Sequence, residues 1–184
     1  MATKQQQIDF INAVFPAALK LWNERRNEAI HPLFVTAQAA LETGWNLGSI
    51  PNNIFGITKG STWKGATKLV LTTEYFKTAT VKFTAPEKVV SVIKVGNRYK
   101  YSVWRLFRVY GSLSDCLADH LAILQKSGYA DAYLFRNDPV VFAQKISDNL
   151  GAQYATAPDY PQQIKACVET VTRIAKETGV YYKK

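Results

Sequence analysis

Phe34-Val35-Thr36-Ala37-Gln38-Ala39-Ala40-Leu41-Glu42-Thr43-Gly44-Trp45 is the most informative stretch of the sequence. It has the pattern of a short apolar helix, because Pro32 suits a first helical position and Gly44 suits a C-terminal cap. Helical spacing places Glu42 at the end of the apolar stripe. Burial and the negative end of the helix dipole both favour a neutral carboxyl group, so Glu42 is predicted to hold a proton near neutral pH and to donate it. The alternative is a glutamate that points into solvent, as most glutamates do.

Two further motifs follow this helix in the chain. They are Asn52-Asn53-Ile54-Phe55-Gly56-Ile57 and Trp63-Lys64-Gly65. The three elements, in this order, resemble glycoside hydrolase family 73, the bacterial cell-wall N-acetylglucosaminidases that include flagellar muramidase-like domains, Gram-positive autolysins and phage lysins. The resemblance extends over roughly residues 32–176. It implies that Glu42 is the catalytic acid, which protonates the leaving oxygen of a glycosidic bond.

A second carboxylate is expected, because most glycosidases use one to activate water or to attack the sugar. In the family this residue lies in a β-lobe after the Trp-x-Gly segment, and Thr73-Glu74-Tyr75 matches that position. The resemblance therefore implies a catalytic role for Glu74, with Glu87 as a more distant candidate. The alternative is a surface glutamate on the polar face of an edge strand. Val70 and Phe76 share the predicted strand face of Glu74 and argue against full exposure.

A third family-like segment lies near the C-terminus. Residues 152–160 resemble the family's Tyr-Ala-Thr-Asp-Pro-x-Tyr segment, whose first tyrosine lies in the active site. The resemblance places Tyr154 in that role, next to the substrate N-acetyl group or the developing charge. Ala157 stands where the family usually has Asp, so this loop lacks a capping or hydrogen-bonding partner. The alternative for Tyr154 is an aromatic side chain packed on the core, and this alternative is stronger for Tyr160.

Aromatic and amide side chains around these motifs are expected to bind substrate. Aromatic rings stack on the apolar faces of sugars, and amides recognise hydroxyl and acetamido groups. Phe55 fits equally well as a core residue that anchors the Asn-rich loop. The predicted substrate-binding residues are Trp45, Asn53, Phe55, Trp63 and Tyr160.

The periodicities predict an α+β fold with a small β-lobe at about residues 66–107. Strand-like alternation covers 69–76, 89–95 and 98–106, with a hairpin turn at Gly96-Asn97, and helical patterns occupy most of the remainder. Pro16 is expected to kink or split the first helix. Trp22 and Trp104 fit apolar patterns and are predicted to be core residues. We expect one catalytic domain over 1–184, and the resemblance implies a lysozyme-like, mainly helical fold whose antiparallel β-lobe flanks a substrate groove.

The charge favours an anionic partner. Lys and Arg number 23 against 14 Asp and Glu, which gives a net charge of +9 and a sequence pI near 9.5. Because no basic run dominates, this pattern fits a large anionic surface better than nucleic acid. Cys116 and Cys167 are expected to act as small buried hydrophobic residues, and a metal site at Cys116 and His120 lacks further ligands. The polar N-terminus shows no signal core, and no apolar run is long enough to insert into a membrane.

Residues and resemblance together predict a peptidoglycan hydrolase that cleaves the glycan strand after N-acetylglucosamine. We expect the chain to need no cofactor and to work as a monomer. We also expect it to be made in the cytoplasm and to act at the bacterial cell wall, as a phage lysin or an autolysin does. The competing hypotheses are a lytic transglycosylase and a non-catalytic wall-binding or phage structural module. The presence of both Glu42 and Glu74 argues against the non-catalytic module. Whether the reaction retains or inverts the anomeric configuration stays open.

Overall fold

The computed structural model describes residues 2–148 and 159–182 and shows two compact units. The helical unit is formed by residues 1–55 and 111–184, and the β unit is formed by residues 56–110. This composition of helices plus a small antiparallel sheet confirms the predicted α+β class. No helix within the described ranges is long and apolar enough to cross a membrane.

The helical unit contains six α-helices among the residues described. Their positions confirm the helical patterns of the sequence. Side chains cap the N-termini of α2 and α3: His31 accepts from the Leu33 N–H, and Ser112 accepts from the Asp115 N–H. The helices are α1 (Lys4–Glu24), α2 (Pro32–Thr43), α3 (Leu113–Leu124), α4 (Ala130–Tyr133), α5 (Pro139–Asp148) and α6 (Tyr160–Glu177).

Helix α1 continues through Pro16 and is not split there. Proline removes one hydrogen bond from a helix interior, which is why a break was expected. The side chains around it explain the continuity, since Val14, Phe15 and Ala18 are all buried. Packing on both sides of Pro16 offsets the lost hydrogen bond.

Helix α2 lies at the centre of the helical unit. Every residue from Pro32 to Ala40 is buried, and the helix packs against α1, α5 and α6. The Phe34 ring meets the Phe142 ring of α5 edge to face, with 4.7 Å between their centroids. Burial of two large aromatic rings in this geometry fixes α2 firmly, and with it the residues at its C-terminal end.

The β unit is a three-stranded antiparallel sheet in the order β1-β3-β2. Strand β1 spans Thr67–Phe76, β2 spans Lys88–Val95 and β3 spans Arg98–Arg108. The register pairs Glu74 with Tyr101 and Leu71 with Trp104. All three predicted strands and the turn at Gly96 are confirmed, and Gly96 adopts the positive φ that such a hairpin turn requires.

One face of the sheet forms the small core of the β unit, and Trp104 lies on the other. Tyr101 and Val103 are buried, whereas Trp104 is exposed, so the prediction that Trp104 is a core residue is wrong. The reason is the two-residue period of a strand, which points neighbouring side chains to opposite faces. Trp22, in α1, is buried as predicted.

Candidate active site

Glu42 occupies the last turn of α2, at the end of its buried segment. The residue as a whole is exposed to solvent. Neighbouring protein atoms nevertheless displace part of the water around its carboxyl group, and this partial burial raises the pKa of Glu42 above its usual range. The negative end of the α2 dipole acts in the same direction. The arrangement fits a group that has to hold a proton and also reach a ligand from the surface.

Gln38 and Tyr160 lie next to Glu42 in the helical unit. Gln38 precedes Glu42 by one helical turn and is completely buried, and its Nε2 donates to the Tyr160 hydroxyl at 3.0 Å. Burial raises the pKa of Tyr160, and Glu42 raises it further when it is ionised, so the phenol stays neutral beside the carboxyl group. Gln38 was not among the predicted site residues. Its four-residue spacing from Glu42 is the signal that could have identified it.

The backbone turns sharply directly after α2. Gly44 has φ 60° and Trp45 has φ 66°, so two consecutive residues adopt the left-handed conformation. Glycine accepts this region readily, whereas it is unusual for a tryptophan. The Trp45 ring packs edge to face on Phe10 of α1, with centroids 5.9 Å apart. This contact stabilises the unusual backbone and leaves the half-buried indole close in sequence to Glu42.

The Asn-rich loop is anchored on α3. The Phe55 ring stacks on His120 with centroids 3.7 Å apart and planes inclined by 8°. Burial lowers the pKa of His120 to about 3, so the imidazole is neutral. Asn53 and Phe55 are both buried. This is the environment of a loop anchor, which was one of the two interpretations of Phe55, and its contact with substrate stays a prediction.

Glu74 belongs to a cluster of charged side chains in the β unit. Arg105 lies between two carboxylates, with its Nη1 3.4 Å from Glu74 Oε1 and its Nε 2.9 Å from Glu87 Oε1. Glu87 Oε1 also accepts the Leu106 N–H at 2.9 Å, directly before β2 begins at Lys88. Glu87 thereby completes the hydrogen bonding of β3, whereas Glu74 makes the longer contact and keeps 30% of its side chain exposed. Of the two carboxylates, Glu74 is therefore the more accessible.

Trp63 is held by several contacts within the β unit. Its indole Nε1 donates to the Ala66 carbonyl at 2.9 Å, and its ring meets Tyr110 with centroids 5.3 Å apart. The Arg108 guanidinium lies 5.0 Å from the ring centroid. A Cβ at Gly65 would come within 2.5 Å of the ring. The motif therefore has glycine two residues after the tryptophan because a larger residue would collide with the indole ring.

The predicted residues are thus placed in two groups. Glu42, Trp45, Asn53, Phe55 and Tyr160 belong to the helical unit, and Glu74 and Trp63 belong to the β unit. Tyr154 lies outside the described residues. Within residues 2–148 and 159–182, no cluster of three or more His, Cys, Asp or Glu side chains is placed to hold a metal ion.

The chain is similar in sequence to a known protein family and to several known proteins. A family model described as mannosyl-glycoprotein endo-β-N-acetylglucosaminidase matches residues 18–173. The peptidoglycan hydrolase FlgJ of Pseudomonas aeruginosa is 30% identical over 181 residues, which cover 94% of this chain and 37% of that protein. FlgJ of Escherichia coli K12 is 26% identical over 155 residues, 80% of this chain and 42% of that protein. The chain therefore spans less than half the length of these curated relatives.

Solved structures share the fold. The crystal structure of a peptidoglycan hydrolase mutant from Sphingomonas sp. A1 matches with a TM-score of 0.64 and 25% identity, covering 92% of this chain and 99% of that one. The glycoside hydrolase domain of Salmonella typhimurium FlgJ matches with a TM-score of 0.65 and 22% identity, over 96% and 94% of the two chains. The solved structures share the lysozyme-like α+β fold, as predicted, and the matched family model defines the class as glycoside hydrolases. The chain belongs to the glucosaminidase family.

Proposed function

We propose that this chain hydrolyses peptidoglycan as an endo-β-N-acetylglucosaminidase and cuts the glycan strand after N-acetylglucosamine. The observation that carries the proposal is Glu42, a carboxyl group with a raised pKa at the exposed end of a buried helix, in a chain of the glucosaminidase family. FlgJ of Pseudomonas aeruginosa, which is named a peptidoglycan hydrolase, supports the choice of substrate.

In the proposed reaction, Glu42 gives its proton to the leaving glycosidic oxygen, which would otherwise depart as a poor leaving group. Glu74 positions water or stabilises the oxocarbenium-like transition state. Its contact with Arg105 supports this role, because a carboxylate held by one long ion pair is oriented and still accessible. Tyr154 is proposed to assist at the N-acetyl group, as the family resemblance implies.

Substrate binding is proposed for the aromatic and amide side chains of both units. Trp45 and Trp63 offer partly exposed rings on which sugar faces can stack. Asn53 and Phe55 are buried, so we propose that they act chiefly by fixing the loop that they belong to. Tyr160 is buried too, and its neutral hydroxyl contributes a dipole next to Glu42.

We further propose that both units form one catalytic domain, which works as a monomer without a cofactor at the bacterial cell wall. The net charge of +9 supports a wall substrate, since cell-wall polymers are anionic. Phage lysins and autolysins are the protein types that fit this proposal. The autolysin Auto of Listeria monocytogenes, whose catalytic domain matches with a TM-score of 0.60 at 22% identity, shares the fold.

Product analysis tests the proposal directly. Hydrolysis after N-acetylglucosamine leaves that sugar at each new reducing end, so borohydride reduction of digested, purified peptidoglycan should yield N-acetylglucosaminitol in mass spectrometry. The Glu42→Gln variant, digested in parallel, is the control for contaminating enzymes. Muramitol ends would indicate a muramidase, and anhydro-muramic ends without reducing sugar would indicate a lytic transglycosylase. Unchanged peptidoglycan after prolonged incubation would favour a binding or structural module.

A further inference from the structure

The positive charge of the chain is concentrated in one unit. Residues 56–110 contain eleven of the 23 Lys and Arg but only two of the 14 Asp and Glu, which gives the β unit a net charge of +9. The remaining residues hold twelve basic and twelve acidic side chains and are electrically balanced. Charge that is dispersed along the sequence is thus polarised between the two units.

Both acidic residues of the β unit lie on the same face of the sheet. Glu74 pairs with Tyr101, so it shares the face of that buried residue, and Glu87 bonds to the same Arg105 side chain as Glu74. The opposite face is the outer face, and it contains no acidic side chain within residues 56–110, all of which the structure describes. Its charged residues include Lys88 and Lys100, both exposed.

The outer face is also unusually apolar. The register places Leu71, Trp104 and Lys88 side by side across the three strands, and Tyr75, Lys100 and Ile93 side by side four residues along β3. Four of these large side chains are well exposed, namely Leu71 (48%), Tyr75 (52%), Ile93 (59%) and Trp104 (39%). Several large apolar side chains exposed together on one face of a sheet indicate an interaction surface.

We propose that the outer face of the β unit docks on an anionic lipid bilayer. Aliphatic and aromatic side chains that project between lysines match the boundary between lipid headgroups and acyl chains, where apolar groups are buried and ammonium groups meet phosphate. The long apolar stem of lysine suits this position, because it can lie along the membrane surface while its head stays in water.

Two other occupants fit the outer face less well. A second copy of the chain would bring two strongly positive units together, which is electrostatically unfavourable. A wall glycan could stack on the rings of Tyr75 and Trp104, but the strand residues of the outer face offer no amide or carboxylate to recognise its acetamido groups. The exposed Leu71 and Ile93 would gain little from such a polymer, whereas a lipid interface buries them.

Vesicle co-sedimentation with the full chain tests the proposal. The probes are vesicles of phosphatidylglycerol mixed equally with phosphatidylcholine, and vesicles of phosphatidylcholine alone, at about 0.1 M salt, where surface charges are still felt over about 10 Å. The parent chain should bind the first vesicles and not the second. Lys88→Gln/Lys100→Gln should weaken that binding roughly 10- to 30-fold, since each lysine near an anionic surface contributes substantially.

Two further variants separate the face from the overall charge. Ile93→Ser/Trp104→Ser keeps every charge and should also lose binding, whereas Lys126→Gln/Lys165→Gln removes two exposed lysines of the helical unit and should bind like the parent. Unchanged melting temperatures show that the variants fold.

Several results would overturn the lipid proposal. They are equal binding to both kinds of vesicle, insensitivity to both outer-face variants, and binding of purified wall glycan but not of vesicles. A dimer that sedimentation detects without lipid, and that Ile93→Ser/Trp104→Ser dissolves, would assign the outer face to a second copy of the chain.

Discussion

The helical unit and the β unit differ in how they use apolar and charged residues. Among the described residues, every large side chain that is fully buried, except Tyr101, belongs to the helical unit, and most exposed large hydrophobic residues belong to the β unit. The helical unit is balanced in charge, whereas the β unit carries the whole surplus. One unit is therefore built to hold groups in fixed positions, and the other is built to present surface.

This difference suits the chemistry proposed for each unit. A proton donor needs a raised pKa and a fixed position, and both come from the deep packing of α2 beneath Glu42. Attraction to an anionic polymer or surface needs exposed cations, and it tolerates a thin core. If the units divide the work in this way, changes in one should affect rate and changes in the other should affect mainly association.

The largest expected effect is that of Glu42→Gln. The amide keeps the shape of the side chain but cannot donate a proton, so wall lysis should fall on the order of 1,000-fold. Turbidity loss of a wall suspension measures it, and circular dichroism checks the fold. Glu28→Gln, an exposed glutamate of the same unit, is the matched control and should lyse walls at the parent rate. A folded Glu42→Gln variant with near-parent activity would remove Glu42 from the mechanism.

Glu74→Gln should have a smaller effect, at the lower end of acid–base contributions, about 100-fold or less. Arg105 would retain its shorter contact with Glu87, so the sheet should keep its geometry. The measurement is the initial lytic rate, with binding to insoluble walls determined separately. Unchanged turnover would return Glu74 to the role of a surface charge and would confine the chemistry to the helical unit.

Gly65→Ala tests whether the Trp-x-Gly motif is a packing unit. The new methyl group would lie within 2.5 Å of the Trp63 ring, so the ring or the backbone must move. Overpacking of this kind typically destabilises by about 1–3 kcal/mol, which thermal or urea unfolding detects. Gly111→Ala, where the nearest heavy atom is a side-chain oxygen of Asp115 at 3.4 Å, is the control. Equal stability of the two variants would contradict this explanation of the motif.

Salt should weaken wall binding by a moderate factor, because attraction between exposed charges is screened beyond about 10 Å at 0.1 M salt. Variants of the two units can be compared to make this prediction more specific. Lys77→Gln/Lys94→Gln in the β unit should weaken binding in a low-salt pull-down more than Lys126→Gln/Lys165→Gln in the helical unit, although each pair removes two charges. Equal losses would mean that only the total charge matters.

The smallest predicted effect is a pH-dependent change in stability. Burial raises the pKa of Glu42, so the folded chain holds that proton more tightly than the unfolded chain. Ionising Glu42 therefore costs stability at neutral pH, and the cost disappears as the pH falls below the unfolded pKa, because both states are then protonated. Glu42→Gln should melt slightly above the parent at about pH 7 and together with it near pH 3. A lower melting temperature at pH 7 would contradict the sign.

Sequence patterns predicted the elements of this fold well and its faces less well. The strands at 69–76, 89–95 and 98–106 and the helix from Pro32 to Thr43 were found because their periodicity and caps are local signals. Trp104 was misplaced because a strand pattern does not reveal which face is covered. The charge polarity was present in the sequence, but only the division into two units showed which residues to count together.

In the candidate site, too, local features could be predicted from the sequence and long-range contacts could not. Glu42 was identified by a helix end and a family-like motif, both of which are contiguous in the chain. The partnership of Gln38 with Tyr160 joins residues 122 positions apart, and no local pattern encodes it. The pairing of Glu74 with Arg105 depends on strand register, which the hydrophobic pattern fixed only approximately.

The burial of the Cys116 sulfur determines how this thiol reacts in oxidising surroundings. It is completely buried beneath the Asn-rich loop, where the Ile54 and Phe55 N–H groups donate towards it, and burial raises the pKa of the thiol to about 12. Because the thiolate is the reactive form, almost no Cys116 is available to oxidants or alkylating reagents near neutral pH. Burial also raises the pKa of Cys167, which is half-buried. The folded chain can therefore meet peroxide or disulfide reagents with the Cys116 thiol shielded by its own packing.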